Sequence, residues 1–481
     1  MLPPGAGRTI PGHGDSTKTR YIRNVREIVR QHLRFFLIAT LAALALRLLF
    51  IFRFPAITTD SFIYGDIAKN WLQHGIYGLS GDGISPTYIR LPGYPAFLAA
   101  LFAIFGMEHY RAVLVTQMFV DIGTCFLIAD IARRMRSAGA AKLAFLLAAL
   151  CPFLANYAAA ALTETLEIFF TALALNFALA GLHGFDAGRW RPWIGCGLAI
   201  GAAILLRPDG GLLLFSIGLS LLGMVIVRIR ARRSYFPLLR AAVVTAVVSL
   251  APLVPWTLRN LHTMRKFQPL APRYANEEEE YVPMGFNHWM KTWIADYTSV
   301  EEIYWPVPGA AIDVEKLPSR AFDSEKQRAE TLQWVADYNQ ALHITPQLDA
   351  GFAELAAARI RAAPLRYYVW LPLLRITDMW LRPRTELLPS DPRWWEFNDD
   401  PWPSTLAVSM GAINLLYCVA ALAGFLRRQS LPHLTLLLTF VMLRSLFLGS
   451  LENPEPRYTL ECYPVVIVLA AVLFAKGAAT A

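Results

Sequence analysis

The chain has 481 residues, of which 55% are hydrophobic, 12% aromatic and only 17% charged, with a net charge of +9. Soluble proteins average about 25% charged and about 45–50% apolar residues, so too little polar side chain is present to cover a soluble globule of this size. Disorder, collagen, coiled coil and a disulfide scaffold are excluded as well, and a mean hydropathy of +0.39 leaves a polytopic membrane protein.

The first 34 residues carry Arg8, Lys18, Arg20, Arg23, Arg26, Arg30 and Arg34 against Asp15 and Glu27. No short apolar core with a small-residue cleavage site occurs there, so the apolar run that follows reads as an uncleaved first span. Ten segments reach the apolar length of a span: 34–54, 111–132, 139–158, 164–183, 193–207, 209–228, 236–257, 404–425, 431–450 and 458–477. The segment 193–207 is short for the task. Basic clusters at Arg133-Arg134-Met135-Arg136, Arg189 and Arg191, 228–233, and Arg427-Arg428 flank these helices. They fit membrane orientation better than nucleic acid, and they predict a cytoplasmic N-terminus.

Keeping every basic cluster inside requires the chain to stay outside from residue 55 to 110. The apolar stretch 91–106 is then an element of the outer surface, entered through Pro92, Gly93 and Pro95. Segment 366–382 is amphipathic, interrupted by Arg375 and Asp378, and suits the interface plane. The expected organisation is a basic cytoplasmic N-terminus (1–33) and a membrane module (34–257) with an outer loop (55–110). An extracytoplasmic region (258–403) with surface helices and C-terminal spans (404–481) follow. Residues 258–365 hold 15 acidic against 11 basic residues, the reverse of the cytoplasmic loops. Stretches 319–337 and 351–361 look helical. The five cysteines are scattered through apolar stretches and read as buried thiols.

Asp60 follows the exit of the first span, at the lipid–water boundary. It reads either as a helix N-cap or as a carboxylate able to act on a lipid headgroup and a water-soluble acceptor together. Asp66 lies roughly on the opposite side of the same helix. Glu164, in Thr163-Glu164, reads as a first-turn acid favoured by the helix dipole or as a second functional carboxylate. Topology places it on the same side and at the same depth as Asp60. Arg90, Arg207, Arg259 and Arg457 recur at outer helix ends, where a guanidinium fork suits phosphate and snorkelling to the interface is the plain alternative. Arg47, Asp121, Asp130 and Arg444 lie inside spans and should face other helices. They form no alternating chain of the kind a transport path needs. The acidic run 277–280 reads as a solvated loop. His262 and His288 match no ligand spacing.

Asp60-x-x-x-Tyr64, Arg90-Leu91-Pro92-Gly93-Tyr94-Pro95, Thr163-Glu164, Arg207-Pro208-Asp209, Pro255-Trp256-x-x-Arg259-Asn260 and Pro456-Arg457-Tyr458 together resemble the GT-C glycosyltransferases. The nearest groups are the protein O-mannosyltransferase and aminoarabinose transferase type, glycosyltransferase family 39 or its bacterial relatives. The resemblance implies an all-α GT-C-like bundle of about ten transmembrane helices, with outer juxtamembrane helices and an extracytoplasmic region. It implies a plasma-membrane (inner-membrane) enzyme taking sugar from a polyprenyl-phosphate donor to a lipid, glycan or protein acceptor at the outer face, with membrane lipids around it. Asp60 falls at the family's active-site acid, with Glu164 beside it as a catalytic candidate. Tyr64, Asp66, Arg90, Tyr94, Arg207, Arg259, Arg457 and Tyr458 are then substrate-binding candidates. Ser61 stands where the family often has a second acid, which favours a lipid or polysaccharide acceptor. Some members use a divalent metal ion, for which no ligand set is legible. A transporter or flippase for lipid-linked saccharides is the alternative.

Overall fold

A computed structural model describes residues 25–183, 189–277, 279–427 and 431–475. Arg8, Asp15, Lys18, Arg20, Arg23, Glu278 and Arg428 lie outside the described residues. The described chain is all-α apart from one antiparallel strand pair, Gly78–Ser80 and Ile84–Pro86, with Leu79 opposite Ser85. Helices are the expected answer for apolar segments whose backbone groups find no partner in lipid.

All ten expected segments are helical, but they are not equivalent. Among the described residues, seven helices are long and apolar enough to cross a membrane, or eight if a bent pair counts as one span. The pair is Ala138–Ala149 with Pro152–Ala158, bent by 53° where Pro152 lacks the amide that would continue the helix. Helices Arg191–Leu206 and Leu434–Gly449 have 16 residues each. That is about 24 Å of rise against a hydrocarbon core of about 30 Å. Helix Gly93–Phe105 is shorter still, at 13 residues.

Small residues let these helices approach closely. Ala140, Ala144 and Ala148 are fully buried on one face of Ala138–Ala149. Gly197 and Gly201 lie one turn apart on Arg191–Leu206, and a Cβ on Gly197 would come 2.7 Å from Cβ of Val248. That contact seats Arg191–Leu206 against helix Phe236–Leu250. The ionisable residues inside the spans turn to protein partners. Arg47 Nε meets Asp121 at 2.7 Å. Asp130 accepts from Arg133 at 2.7 Å and from Arg134 at 2.9 Å. All five cysteines are free thiols.

Between the spans Phe236–Met264 and Trp402–Leu426, a helical subdomain has its own core of Phe286, Trp289, Trp293, Val335, Tyr338 and Phe352. The stretches 319–337 and 351–361 fall on the helices Glu325–Ala341 and Pro346–Ala362, with a single turn at Ser319–Ala321 ahead of the first. At the base of the subdomain, Arg366–Trp370 runs into helix Leu371–Leu381. Leu365, Tyr368 and Trp370 are exposed while Leu371, Arg375 and Met379 are buried, the expected amphipathic split. Arg375 and Asp378 point inward. Arg375 Nε donates to the Ile294 carbonyl at 2.9 Å, and Asp378 Oδ2 accepts the Tyr297 amide at 2.9 Å. Of the acidic run, Glu279 and Glu280 are exposed, while Glu277 accepts from the Thr87 hydroxyl.

Candidate active site

Two backbone approaches bring distant segments together. Ala56 bridges to Ala160, its amide donating to Ala159 O at 2.9 Å and its carbonyl accepting from Ala161 N at 3.0 Å. The exit of the first span, which leads to Asp60, therefore runs beside the turn that leads to Glu164. Gly93 is the second approach: a Cβ there would lie 2.6 Å from the Leu205 carbonyl. Only glycine lets the Arg90–Tyr94 turn sit against the end of helix Arg191–Leu206, where Arg207 is the C-cap.

Asp60 lies in the first turn of helix Thr59–His74. It is not the cap. Thr58 is, and its amide donates to Ser61 Oγ at 3.0 Å. The Asp60 carboxylate is left to Arg90, whose Nη2 meets Oδ1 at 2.9 Å. Among the described residues no group bonds Oδ2, and the side chain is 37% exposed. The Arg90 guanidinium also stands over the Tyr64 ring, 5.6 Å from its centroid. Tyr64 packs edge-on against Tyr94 at 5.1 Å. The Tyr94 hydroxyl donates to Gln117 Oε1 at 2.8 Å, and Gln117 in turn donates to the Ala160 carbonyl. Burial pushes the Tyr64 hydroxyl up to about 12, with Arg90 and Arg207 pulling down and Asp60 and Glu164 pushing up.

The second half of the site is buried. Glu164, the first residue of helix Glu164–His183, is 2% exposed. Its Oε1 lies 3.6 Å from Arg207 Nη1 and 3.7 Å from Arg457 Nη1, while Oε2 has no hydrogen-bond partner. Arg207 also reaches Glu167 at 3.5 Å and Asp209 at 3.4 Å, and its guanidinium covers the Tyr458 ring at 4.5 Å. Arg457, in the tight turns of Pro456–Cys462, lies 2.6 Å from Glu455 Oε2. Tyr458 donates its hydroxyl to Glu455. Arg444 supports the group from behind, at 3.1 Å from Asp209 and 2.9 Å from Glu461.

Two expected members stand apart. Asp66 accepts the Ser80 amide at 2.7 Å and the Ser80 hydroxyl at 2.8 Å, tying the strand pair to its helix. Those bonds hold its carboxyl below the usual range against the opposing effect of burial. Arg259 donates to the Thr87 carbonyl at 2.7 Å and stacks over Tyr77 and Trp256, so its guanidinium holds the outer loop. Conversely, the structure adds residues that the sequence reading did not select. Glu455 and Glu461 flank Arg457 closely in sequence, which was a legible signal. Glu386 had none. Both its carboxyl oxygens are buried without a partner beside Arg384 and Arg457, and burial raises its pKa. The Tyr157 hydroxyl, likewise unpartnered, lies within electrostatic reach of Glu386, Glu164 and Arg457. Among the described residues no three His, Cys, Asp or Glu side chains are placed to hold a metal ion. His262 and His288 therefore join no such group.

The structure is similar to that of the archaeal oligosaccharyltransferase AglB of Archaeoglobus fulgidus, solved with an inhibitory peptide and a dolichol-phosphate. The match has a TM-score of 0.50 and 15% identity over 92% of this chain and 50% of that one. This is the GT-C fold. The chain spans about half the length of that oligosaccharyltransferase. The family model of dolichyl-phosphate-mannose-protein mannosyltransferase matches residues 86–256, less than half of the chain. That stretch contains Arg90, Tyr94, Glu164 and Arg207. ArnT of Cupriavidus metallidurans bound to undecaprenyl phosphate is also similar, at a TM-score of 0.40 and 15% identity, covering 91% of this chain and 78% of that one. No curated protein matches the chain in sequence.

Proposed function

We propose that this GT-C protein transfers a sugar from a polyprenyl-phosphate donor to an acceptor hydroxyl at the outer face of the plasma (inner) membrane. The acceptor is a lipid, glycan or protein. One observation carries the reading: the half-exposed Asp60, paired with Arg90, follows a span exit that runs beside the turn leading to a buried group in which Arg207 and Arg457 converge on Glu164. A half-exposed base and a buried, phosphate-sized cluster of guanidiniums suit a hydroxyl acceptor meeting a lipid phosphate.

The chemistry asks little of the leaving group. The bond between the sugar's anomeric carbon and the phosphate oxygen breaks, and the phosphate keeps the electron pair as a stable anion. It needs far less acid assistance than the alkoxide of ordinary glycoside hydrolysis. The acceptor oxygen bonds to the anomeric carbon from the opposite face, with inversion, and its proton passes to Asp60 Oδ2. Arg90 fixes the Asp60 carboxylate through Oδ1. Arg207 and Arg457 offset charge growing on the departing phosphate. Their pairs with Glu164 and Glu167, at 3.5–3.7 Å, are long enough to exchange for phosphate oxygens. Glu164 orients the acceptor or the arginines.

The test is release of radiolabelled sugar from polyprenyl phosphate in membranes. Asp60→Asn should abolish transfer while the protein accumulates normally; undiminished transfer removes Asp60 from the base role. Intact donor appearing on the opposite leaflet would instead support a flippase. The paired state of Arg47–Asp121 and of Asp130 with Arg133 and Arg134 argues against an ion path for one.

A further inference from the structure

Away from the candidate site, a groove of about 480 Å³ opens where helices Arg191–Leu206 and Phe236–Leu250 begin. That volume lies in the range of ligand clefts, roughly 300–1,000 Å³. Its floor and walls include Trp193, Phe236, Ala241 and Val244, and Arg189 and Arg240 stand at its rim. Neither guanidinium has a protein partner among the described residues. The surroundings sharpen the charge. From residue 189 to 240 the sequence holds eight arginines and one acid, Asp209. Asp209 is engaged by Arg207 and Arg444 at the far end of the helices. Arg228, at the near end, donates to the Ser234 carbonyl beside the groove.

The groove continues into an apolar track. Phe236, Val243, Val247 and Leu250 are all exposed along one face of Phe236–Leu250, and Arg240 sits on that face one turn from Phe236. A soluble anion would use the two guanidiniums alone and make no use of the apolar wall that continues from them. A molecule with a phosphate head and an acyl tail uses both, and basic pockets between membrane helices commonly seat such headgroups. We infer that this groove binds one anionic phospholipid of the surrounding bilayer, its phosphate between Arg189 and Arg240 and an acyl chain along Val243 and Val247.

The experiment is native mass spectrometry of the purified full-length protein, equilibrated with phosphatidylglycerol or phosphatidylcholine. One phosphatidylglycerol should be retained, in preference to phosphatidylcholine by about thirtyfold, from two arginines at an anionic headgroup. Arg189→Gln with Arg240→Gln should erase the preference. Val244→Trp, which fills the groove and keeps every charge, should evict the lipid. Arg232→Gln with Arg233→Gln removes the same charge outside the groove and should change nothing. Equal retention of both lipids by the unaltered protein overturns the inference. So does an equal loss in the control pair, which would mean diffuse surface charge, or displacement of the lipid by millimolar inorganic phosphate, which would mean a site for a free anion.

Discussion

Arg359 in the helical subdomain and Arg457 in the bundle are both buried arginines, and their surroundings differ in kind. Arg359 donates to Thr292 Oγ1 at 2.9 Å, the Ala321 carbonyl at 2.7 Å, the Arg320 carbonyl at 2.8 Å and Gln327 Oε1 at 2.8 Å. Apart from one carboxylate, Asp323 at 3.1 Å, its donors end on fixed backbone and neutral side-chain acceptors, as in a buried polar group that specifies a fold. Arg375 and Arg384 behave likewise, with donors directed to backbone carbonyls and to Asn414, Tyr463 and Thr459. Arg457 instead lies among acids at 2.6 and 3.7 Å. Within its electrostatic reach, Glu164 Oε2, the Tyr157 hydroxyl and both oxygens of Glu386 have no partner among the described residues. Unmet hydrogen-bonding capacity in a buried place costs stability unless something fills it. The difference teaches how to separate scaffold from site in this bundle: by satisfaction, since burial and charge are alike in both.

Variants on the two sides should therefore fail in different ways. Asp60→Asn carries the largest effect, a loss of about 10²- to 10⁴-fold in transfer rate, the usual worth of a positioned general base. Its unfolding temperature in detergent should match that of the unaltered protein, because the Arg90 contact and the Thr58 cap survive. Arg359→Ala should do the opposite. It strands four buried acceptors and should cost about 3–5 kcal/mol of stability, seen as a large drop in unfolding temperature with activity per folded molecule retained. If activity fell as steeply as stability there, the division between scaffold and site would be lost.

A pH series sharpens the scaffold side. Burial pushes the Asp378 carboxyl up to about 6, although Arg382 and the Tyr297 amide pull the other way. An acid whose folded pKa is raised favours folding when protonated. The contribution of Asp378 to stability should be largest below about pH 4, fall by up to about 3 kcal/mol as pH rises to 6, and then level off. Asp378→Asn should flatten that slope in unfolding curves recorded from pH 4 to 7. The smallest effect belongs to Arg457→Lys, which keeps the charge and loses the planar fork. About tenfold less transfer is expected, concentrated in the turnover rate if the guanidinium meets the phosphate as it departs. A change confined to KM would place Arg457 with ground-state binding.

Much of the fold was legible because lipid imposes simple rules. Apolar length marks each span, and all ten marked segments are helical. Span quality was less legible. The break at Pro152 and the 16-residue helices Arg191–Leu206 and Leu434–Gly449 depend on where backbone bonding stops, which hydropathy does not register. The site was legible in halves. Asp60 with Arg90, and Glu164 with Arg207 and Arg457, were each selected from their position at helix ends. Asp66 and Arg259 were selected on the same grounds, yet local neighbours claim them: Ser80 for one, the Thr87 carbonyl for the other.

The sequence alone determined the class, the helical segments and the residues that carry charge at the membrane edge, because apolar length and the cost of charge near lipid are properties of composition and order. The tertiary structure alone decided which of those charges meet. The Ala56–Ala160 bridge and the close seat of Gly93 on Leu205 join segments over a hundred residues apart. They draw together the Asp60 and Glu164 groups and leave Asp66 and Arg259 to the scaffold. The same packing brought Glu386 and Tyr157 within electrostatic reach of Arg457, which no spacing along the chain encodes.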